Sequence, residues 1–227
     1  MINGDEKRLI IRMFHVHKFY GPKKALTDTT LDITKNEFVF ISGPSGAGKT
    51  TLLKLLYLGE PVSEGQILID GMNLARISRK KVSFLRRKFG IIFQDYKLIP
   101  NKTVCENVAL VLEAAGKKKR LIQKKIKSVL RTVGMEDRLD SFPLSLSGGE
   151  QQRVAVARAV VGDPMIVLAD EPTGSLDSES ADIVISLLKG FHVRGGTVII
   201  ATHDQDLIQK TGGRVVHLTQ GRVIRDG

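Results

Sequence analysis

The chain has 227 residues, 42% of them hydrophobic, a formal net charge of +11 and a single cysteine. That is enough apolar material for one large domain and excludes general disorder, while the longest apolar runs, "MIVLA" (165–169) and "TVIIA" (197–201), fall far short of the roughly 18–20 residues of a membrane span. A lone Cys105 excludes an internal disulfide and fits a reducing cytoplasm.

The opening stretch "MINGDEKRLIIRMF" carries acidic residues and no apolar core, so no export signal is expected there. "LIIRMFHV" (9–16) and "TLDIT" (30–34) read as antiparallel strands, and "EFVFISG" (37–43) as a buried strand entering a glycine-rich turn. A helix is expected to start near Lys49, and "QILIDGMNL" (66–74) adds a strand near the surface. "FGIIFQD" (89–95), "MIVLAD" (165–170) and "GTVIIATHD" (196–204) are apolar strands that each end on a polar residue. Apolar strands separated by helices imply a parallel sheet covered on both faces, with functional groups beyond its carboxyl edge.

Between Gln94 and Ser147 the periodicity turns helical. "TVCENVALVLEAAG" (103–116) is one helix, and "KKKRLIQKKIKSVLRTVG" (117–134) is another with Leu121, Ile122, Ile126, Val129, Leu130 and Val133 at helical spacing. A helix should follow Ser147, and "RVVHLTQGRVIRDG" (214–227) should close the chain as a hairpin over Gln220-Gly221. The reading is one α/β domain over 1–227. Its core is 1–94 with 147–227, combining a mostly parallel sheet with an antiparallel β subdomain, and about 95–146 form a helical insertion.

Charge is uneven. Residues 76–138 hold 18 Lys/Arg against 5 Asp/Glu, which suits nucleic acid, an anionic lipid surface or simply solvent.

"GPSGAGKT" (43–50) follows a strand and opens a helix, the order a phosphate-binding loop requires. Gly43, Gly46 and Gly48 leave room for backbone amides to face phosphate oxygens, with Pro44, Ser45 and Ala47 between them and Thr51 just beyond. Lys49 would reach the outer phosphates and the Thr50 hydroxyl would ligate Mg²⁺. "MIVLADEP" (165–172) supplies Asp170 for Mg²⁺ and Glu171 to orient the attacking water. Gln94 could touch Mg²⁺ or water, and His203 could hydrogen-bond the γ-phosphate. His15, His17, His192 and His217 are read as structural.

"LSGGEQ" (146–151) is a second anion site: Ser147 caps a helix while Gly148 and Gly149 leave its amides uncovered. An ordinary capped helix would leave Gly148, Gly149, Glu150 and Gln151 without a reason. Two copies head to tail, each setting "LSGGEQ" against the other's "GPSGAGKT", would give them one.

These motifs resemble those of ABC (ATP-binding cassette) ATP-binding subunits over nearly the whole chain. The resemblance implies the P-loop NTPase core of an ABC ATPase and names the parts. They are the Walker A loop (43–50), the Q-loop (Gln94), the signature (146–151), Walker B "IVLADE" (166–171), the D-loop "SLD" (175–177) and the switch His203. It implies that Tyr20 stacks on adenine, that Ser147, Gly148, Gly149, Glu150 and Asp177 serve the nucleotide, and that Glu171 is the general base. ATP and Mg²⁺ are the implied cofactors, and a homodimer closing on ATP the implied assembly. "FLRR" before "G-x-x-FQD", with "TVxxNVA" after it, resembles the FtsE group of cell-division cassettes. That likeness implies an FtsX-like integral membrane partner docked on the helical insertion, control of cell-wall hydrolases, and a position on the cytoplasmic face of the membrane. The charge of the basic lobe, rather than the likeness, suggests an anionic membrane surface as a further contact. ATPases of lipoprotein-releasing and macrolide exporters share "LADEPTG-x-LD" and remain an alternative. A soluble nucleic-acid-associated ABC ATPase is disfavoured, because such chains carry paired cassettes or long insertions. Residues 1–8 extend beyond the usual start of this family and have no assigned role.

Overall fold

The computed structural model describes residues 8–227; most of the N-terminal extension noted above lies outside them. β1 (Leu9–Tyr20) and β2 (Lys23–Thr34) form a long antiparallel hairpin, and β3 (Phe38–Ser42), buried along its whole length, leads into α1 (Lys49–Leu56). β4 (Glu64–Ile69) and β5 (Met72–Asn73) turn over Asp70-Gly71, followed by α2 (Arg79–Arg86) and β6 (Phe89–Ile92). α3 (Val104–Ala114), α4 (Lys119–Thr132) and α5 (Gly148–Val160) precede β7 (Ile166–Asp170) and α6 (Ser178–Val193). β8 (Thr197–Thr202), α7 (Gln205–Thr211), β9 (Arg214–Thr219) and β10 (Arg222–Asp226) complete the chain.

These elements gather into two compact units, one running up to Arg86 and resuming over Gly195–Gly227, the other spanning Arg87–Arg194. In the first, β2, β1, β4 and β5 are neighbours in that order, all antiparallel. The same unit holds β10, β9, β3 and β8 as successive neighbours. There β3 runs parallel to both β8 and β9, and β9 and β10 form the closing hairpin over Gln220-Gly221. The expected parallel character follows from composition: "FVFIS" and "TVIIAT" are buried at every position, which only a strand covered on both faces requires.

Glu37 ties this unit together ahead of β3. Its carboxylate accepts from the Thr34 amide at 2.7 Å and hydroxyl at 2.9 Å and from Arg214 at 2.9 Å, while Arg214 also grips Asp226 at 2.6 Å. Burial alone would raise the Glu37 pKa, but these hydrogen bonds outweigh it and hold it below the ordinary range.

The second unit pairs β6 and β7 in parallel and packs α3 and α6 against α5, which also lies along β6. α3 opens with a capping box in which Thr103 and Glu106 satisfy each other's amides. Asn107, fully buried, spans the loop before it through four hydrogen bonds with Ile99, Lys102 and Thr103. In α4 the residues Ile122, Ile126 and Leu130 are buried. Leu121, read from the sequence as part of that apolar face, is instead 40% exposed. Strand "FGII" ends at Ile92, three residues short of its expected end, because the chain turns at 93–96. Among the described residues, no helix is long and apolar enough to cross a membrane.

Candidate active site

In the first unit the register of β3 against β8 sets Ser42 opposite Thr202. Gly43 and His203, the next residue on each strand, therefore leave the same carboxyl edge side by side. Gln205, two residues past His203, donates to the Ser42 hydroxyl at 3.0 Å and fastens the two strand ends together. His203 is exposed at that edge, and Asp204 behind it caps α7 through the Leu207 amide.

The glycine loop is built by close backbone approach. Gly43 has φ 149°, and a Cβ there would lie 2.1 Å from the Leu218 carbonyl oxygen. Gly48 has φ 107°, and a Cβ would lie 2.6 Å from the Ala25 carbonyl oxygen. Ala47, buried, accepts from the Gly221 amide, and the Gly221 carbonyl accepts from the Thr27 amide and Thr29 hydroxyl. The closing hairpin and β2 thus clasp the loop from two sides. Pro44, Ser45 and Gly46 form its exposed crest.

Gly48, at the N-cap of α1, provides no side-chain cap, so no capping side chain covers the positive end of the helix there. The Lys49 ammonium, buried, donates to the carbonyls of Gly43 at 2.8 Å and Pro44 at 3.3 Å, which sets it over the loop. Thr50 is exposed and Thr51 half-buried in the first turn. A helix start with no side-chain cap, an inward lysine and a hydroxyl suit a phosphate group with its hard cation. Tyr20 ends β1 across from Lys23, 39% exposed, with the Lys18 ammonium 4.7 Å from its ring centroid. Lys18 is itself fixed by Glu60 at 3.0 Å and the Pro61 carbonyl at 2.9 Å.

In the second unit Ile92 pairs with Ala169, so Gln94 and the Asp170–Glu171 pair emerge from one carboxyl edge. Both acidic residues are half-buried. Glu171 has φ 45°, uncommon for a side chain of its size and a conformation held only where surroundings enforce it. One such restraint is Gln152 of α5, buried, which donates to the Pro172 carbonyl at 2.6 Å. Sequence reading passed over Gln152, since nothing in its spacing says which loop it reaches. An oxygen-only donor such as Asp170 fits Mg²⁺, which characteristically takes one or two protein oxygens beside phosphate.

The signature segment is tied into its own chain more closely than its spacing suggested. Ser147 does cap α5, accepting from the Glu150 amide at 3.2 Å, but Glu150 answers by accepting from the Ser147 amide at 2.8 Å. The backbone bond from Ser147 is the main reason the Glu150 carboxyl sits below the ordinary range. Gln151 donates to the Leu146 carbonyl at 3.1 Å. A Cβ on Gly149 would lie 2.4 Å from the Ser180 hydroxyl, and one on Gly148 would lie 3.0 Å from the Tyr96 hydroxyl. All four residues that a capped helix was expected to leave unexplained have work inside their own chain. Asp177 caps α6 through the Ser180 amide and hydroxyl, each at 2.8 Å, and the amide bond holds its pKa down. Ser180 thereby touches both the Asp177 cap and the Gly149 turn, a link that sequence spacing did not reveal.

Three comparisons bear on this arrangement. The chain matches the ABC transporter family over residues 26–174. It is 44% identical to the cell division ATP-binding protein FtsE of Bacillus subtilis over 96% of both chains. To the FtsE protein of Escherichia coli it is 43% identical over 94% of this chain and 97% of that one. The Streptococcus pneumoniae FtsE protein is 42% identical, over 93% and 92%. Among solved structures, the dimeric bacterial ABC transporter cassette MJ0796 superposes with a TM-score of 0.88 at 36% identity, over 96% of this chain and 97% of that one. A post-hydrolysis dimer of MJ0796 bound to ADP and Pi gives the same TM-score at 35% identity, over 96% and 97%. With its glycine loop, acidic strand end and serine-capped helix each in place, the chain belongs to the ABC transporter family as an ATP-binding cassette.

Proposed function

We propose that the chain is the ATP-hydrolysing subunit of a membrane-associated ABC complex acting in cell division, as the FtsE proteins it resembles are named for. The observation that carries the ATP reading is the carboxyl edge of β3 and β8. There an uncapped α1, the inward Lys49 ammonium and an exposed His203 converge on the glycine loop. That edge takes the triphosphate, with Lys49 on the outer phosphates, His203 at the γ-phosphate and Tyr20 against the adenine.

Mg²⁺, held by the Thr50 hydroxyl, Asp170 and Gln94, would supply charge neutralisation for the phosphates. Glu171 accepts a proton from the water that attacks the γ-phosphorus, while the bond to the ADP oxygen breaks. Motif order and family membership are what assign residues of both units to one nucleotide.

The signature of a second copy, Ser147 to Glu150 with Asp177 nearby, faces that nucleotide from the other side. The 35–36% identity to cassettes solved as dimers supports this reading. An FtsX-like integral membrane protein is the proposed partner, engaging the helical insertion at about 95–146 and placing the chain on the inner face of the membrane. The exposed basic side of α4, with Lys124, Lys127 and Arg131, adds attraction to anionic lipid of about 1 kcal/mol per well-placed charge.

Lys49→Ala tests the nucleotide assignment: ATP binding is expected to be lost, and unchanged affinity contradicts it. Charge reversal tests the docking face, at residues chosen with care. Arg86 donates to the carbonyls of Tyr57 and Leu58, and Arg87 to that of Ala114, so reversing either also removes hydrogen bonds within its own unit. Lys124 and Lys127 are exposed, and reversing them should weaken recovery with membranes while ATP affinity holds. Equal loss of both places the docking face elsewhere.

A further inference from the structure

The turn that follows Gln94 has an unusual backbone. Tyr96 at φ 58° and Lys97 at φ 49° are consecutive non-glycine residues in the left-handed region. Each such residue is disfavoured, and a pair persists only where neighbours hold it. Two backbone bonds within the turn, Tyr96 N–H to Phe93 and Lys97 N–H to Asp95, close it without using the Tyr96 and Lys97 carbonyls. Both carbonyls accept from one side chain. Arg158, on the third turn of α5, donates Nη2 to Tyr96 and Nη1 to Lys97, each at 2.6 Å. A planar guanidinium with two parallel donors matches two adjacent carbonyls, whereas an ammonium cannot bridge them with the same geometry.

The other end of the same turn returns to the start of α5. The Tyr96 hydroxyl lies where a Cβ on Gly148 would come within 3.0 Å of it, and Gly148 is the first residue of the helix that Ser147 caps. Gly148 does not have a positive φ, so space for the tyrosine is what its missing side chain provides. The turn therefore meets one helix at two places: its backbone is held by the Arg158 side chain, and its Tyr96 hydroxyl lies close beside Gly148. Gln94 stands just before it.

We propose that Arg158 is a positioning residue that locks the 94–97 turn to the signature helix, so that Gln94 and the Ser147–Gly148 helix start move as one piece. Neither group reaches the reacting atoms through Arg158; it fixes where they stand. The catalytic consequence rests on the nucleotide roles proposed above for Gln94 and Ser147, but the mechanical link does not.

The full chain carrying Arg158→Lys keeps the charge and loses the fork. Hydrogen exchange without nucleotide should quicken at the amides of 95–98 and, with them, at 148–151. With Mg-ATP, kcat should fall about tenfold, the scale of losing a charged hydrogen bond, while affinity for a fluorescent ATP analogue stays within about twofold. Exchange that quickens only at 95–98 overturns the proposal, whatever kcat does. Gly148→Ala provides the second arm, valid even if Arg158→Lys misfolds. It should lower kcat by pushing on the Tyr96 hydroxyl, and adding Tyr96→Phe should restore part of the loss. No restoration also overturns it. Coupled exchange with no effect on ATPase would keep the link and fault the nucleotide assignments instead.

Discussion

Gly43 and Gly48 carry the tightest constraints near the nucleotide edge, because each faces a backbone carbonyl rather than a side chain that could swing away. Gly46, at φ 78°, has open space where its Cβ would be. Alanine at 48 should therefore distort the loop and destabilise the chain by about 1–3 kcal/mol, the usual range for overpacking. Alanine at 46 should meet only the conformational penalty. Thermal unfolding separates them, and equal losses would mean the clasp by β2 is not what shapes the loop. Phosphate-loop glycines were legible from spacing alone, since the pattern itself demands small residues. Gln152, Arg158, Ser180 and Gln205 were not. Each is an ordinary polar residue whose importance comes from a partner that only the fold brings near.

At the scale of elements, the helix starts decide most. α3 and α5 both begin with a capping box, and α6 begins on a doubly used aspartate. Thr103→Ala should cost about 1 kcal/mol, the typical loss for such a cap, and a chemical denaturation midpoint that does not move would contradict it. The carboxyls in these starts share a sign. Hydrogen bonds hold the folded pKa values of Glu106, Glu150 and Asp177 below the ordinary carboxylate range. Their contribution is complete above that range and is lost as pH falls through the depressed values. Glu37 behaves alike through Thr34 and Arg214. Stability should thus be flat around neutrality and decline on the acid side, less steeply in Glu37→Gln. An identical acid slope in that variant would remove Glu37 from the account.

Elements were unevenly legible for a physical reason. Buried strands such as "IVLAD" declare themselves through unbroken apolar runs. The second hairpin strand was read only over 30–34 but starts at Lys23, because its outward face carries Lys, Asp and Thr and thins the apolar signal. α2 went unread since Leu85 is its single buried residue. The signature turn was legible as a cap. The use of its glycines within one chain was not legible, because Ser180 and Tyr96, which they accommodate, are distant in sequence.

For the whole molecule, the decisive claim is that hydrolysis requires two copies closing on ATP. A capping box already satisfies Ser147 and Glu150 within one chain, so the case for a facing nucleotide rests on the family and its dimeric relatives. The direct test is the mass in solution of the Glu171→Gln chain, by sedimentation at saturating ATP and Mg²⁺. Without the carboxylate proposed to orient the attacking water, this form should bind ATP, fail to turn it over and accumulate as a dimer, reverting to monomer when ATP is withdrawn. A Glu171→Gln chain that binds ATP and remains monomeric throughout would contradict the account.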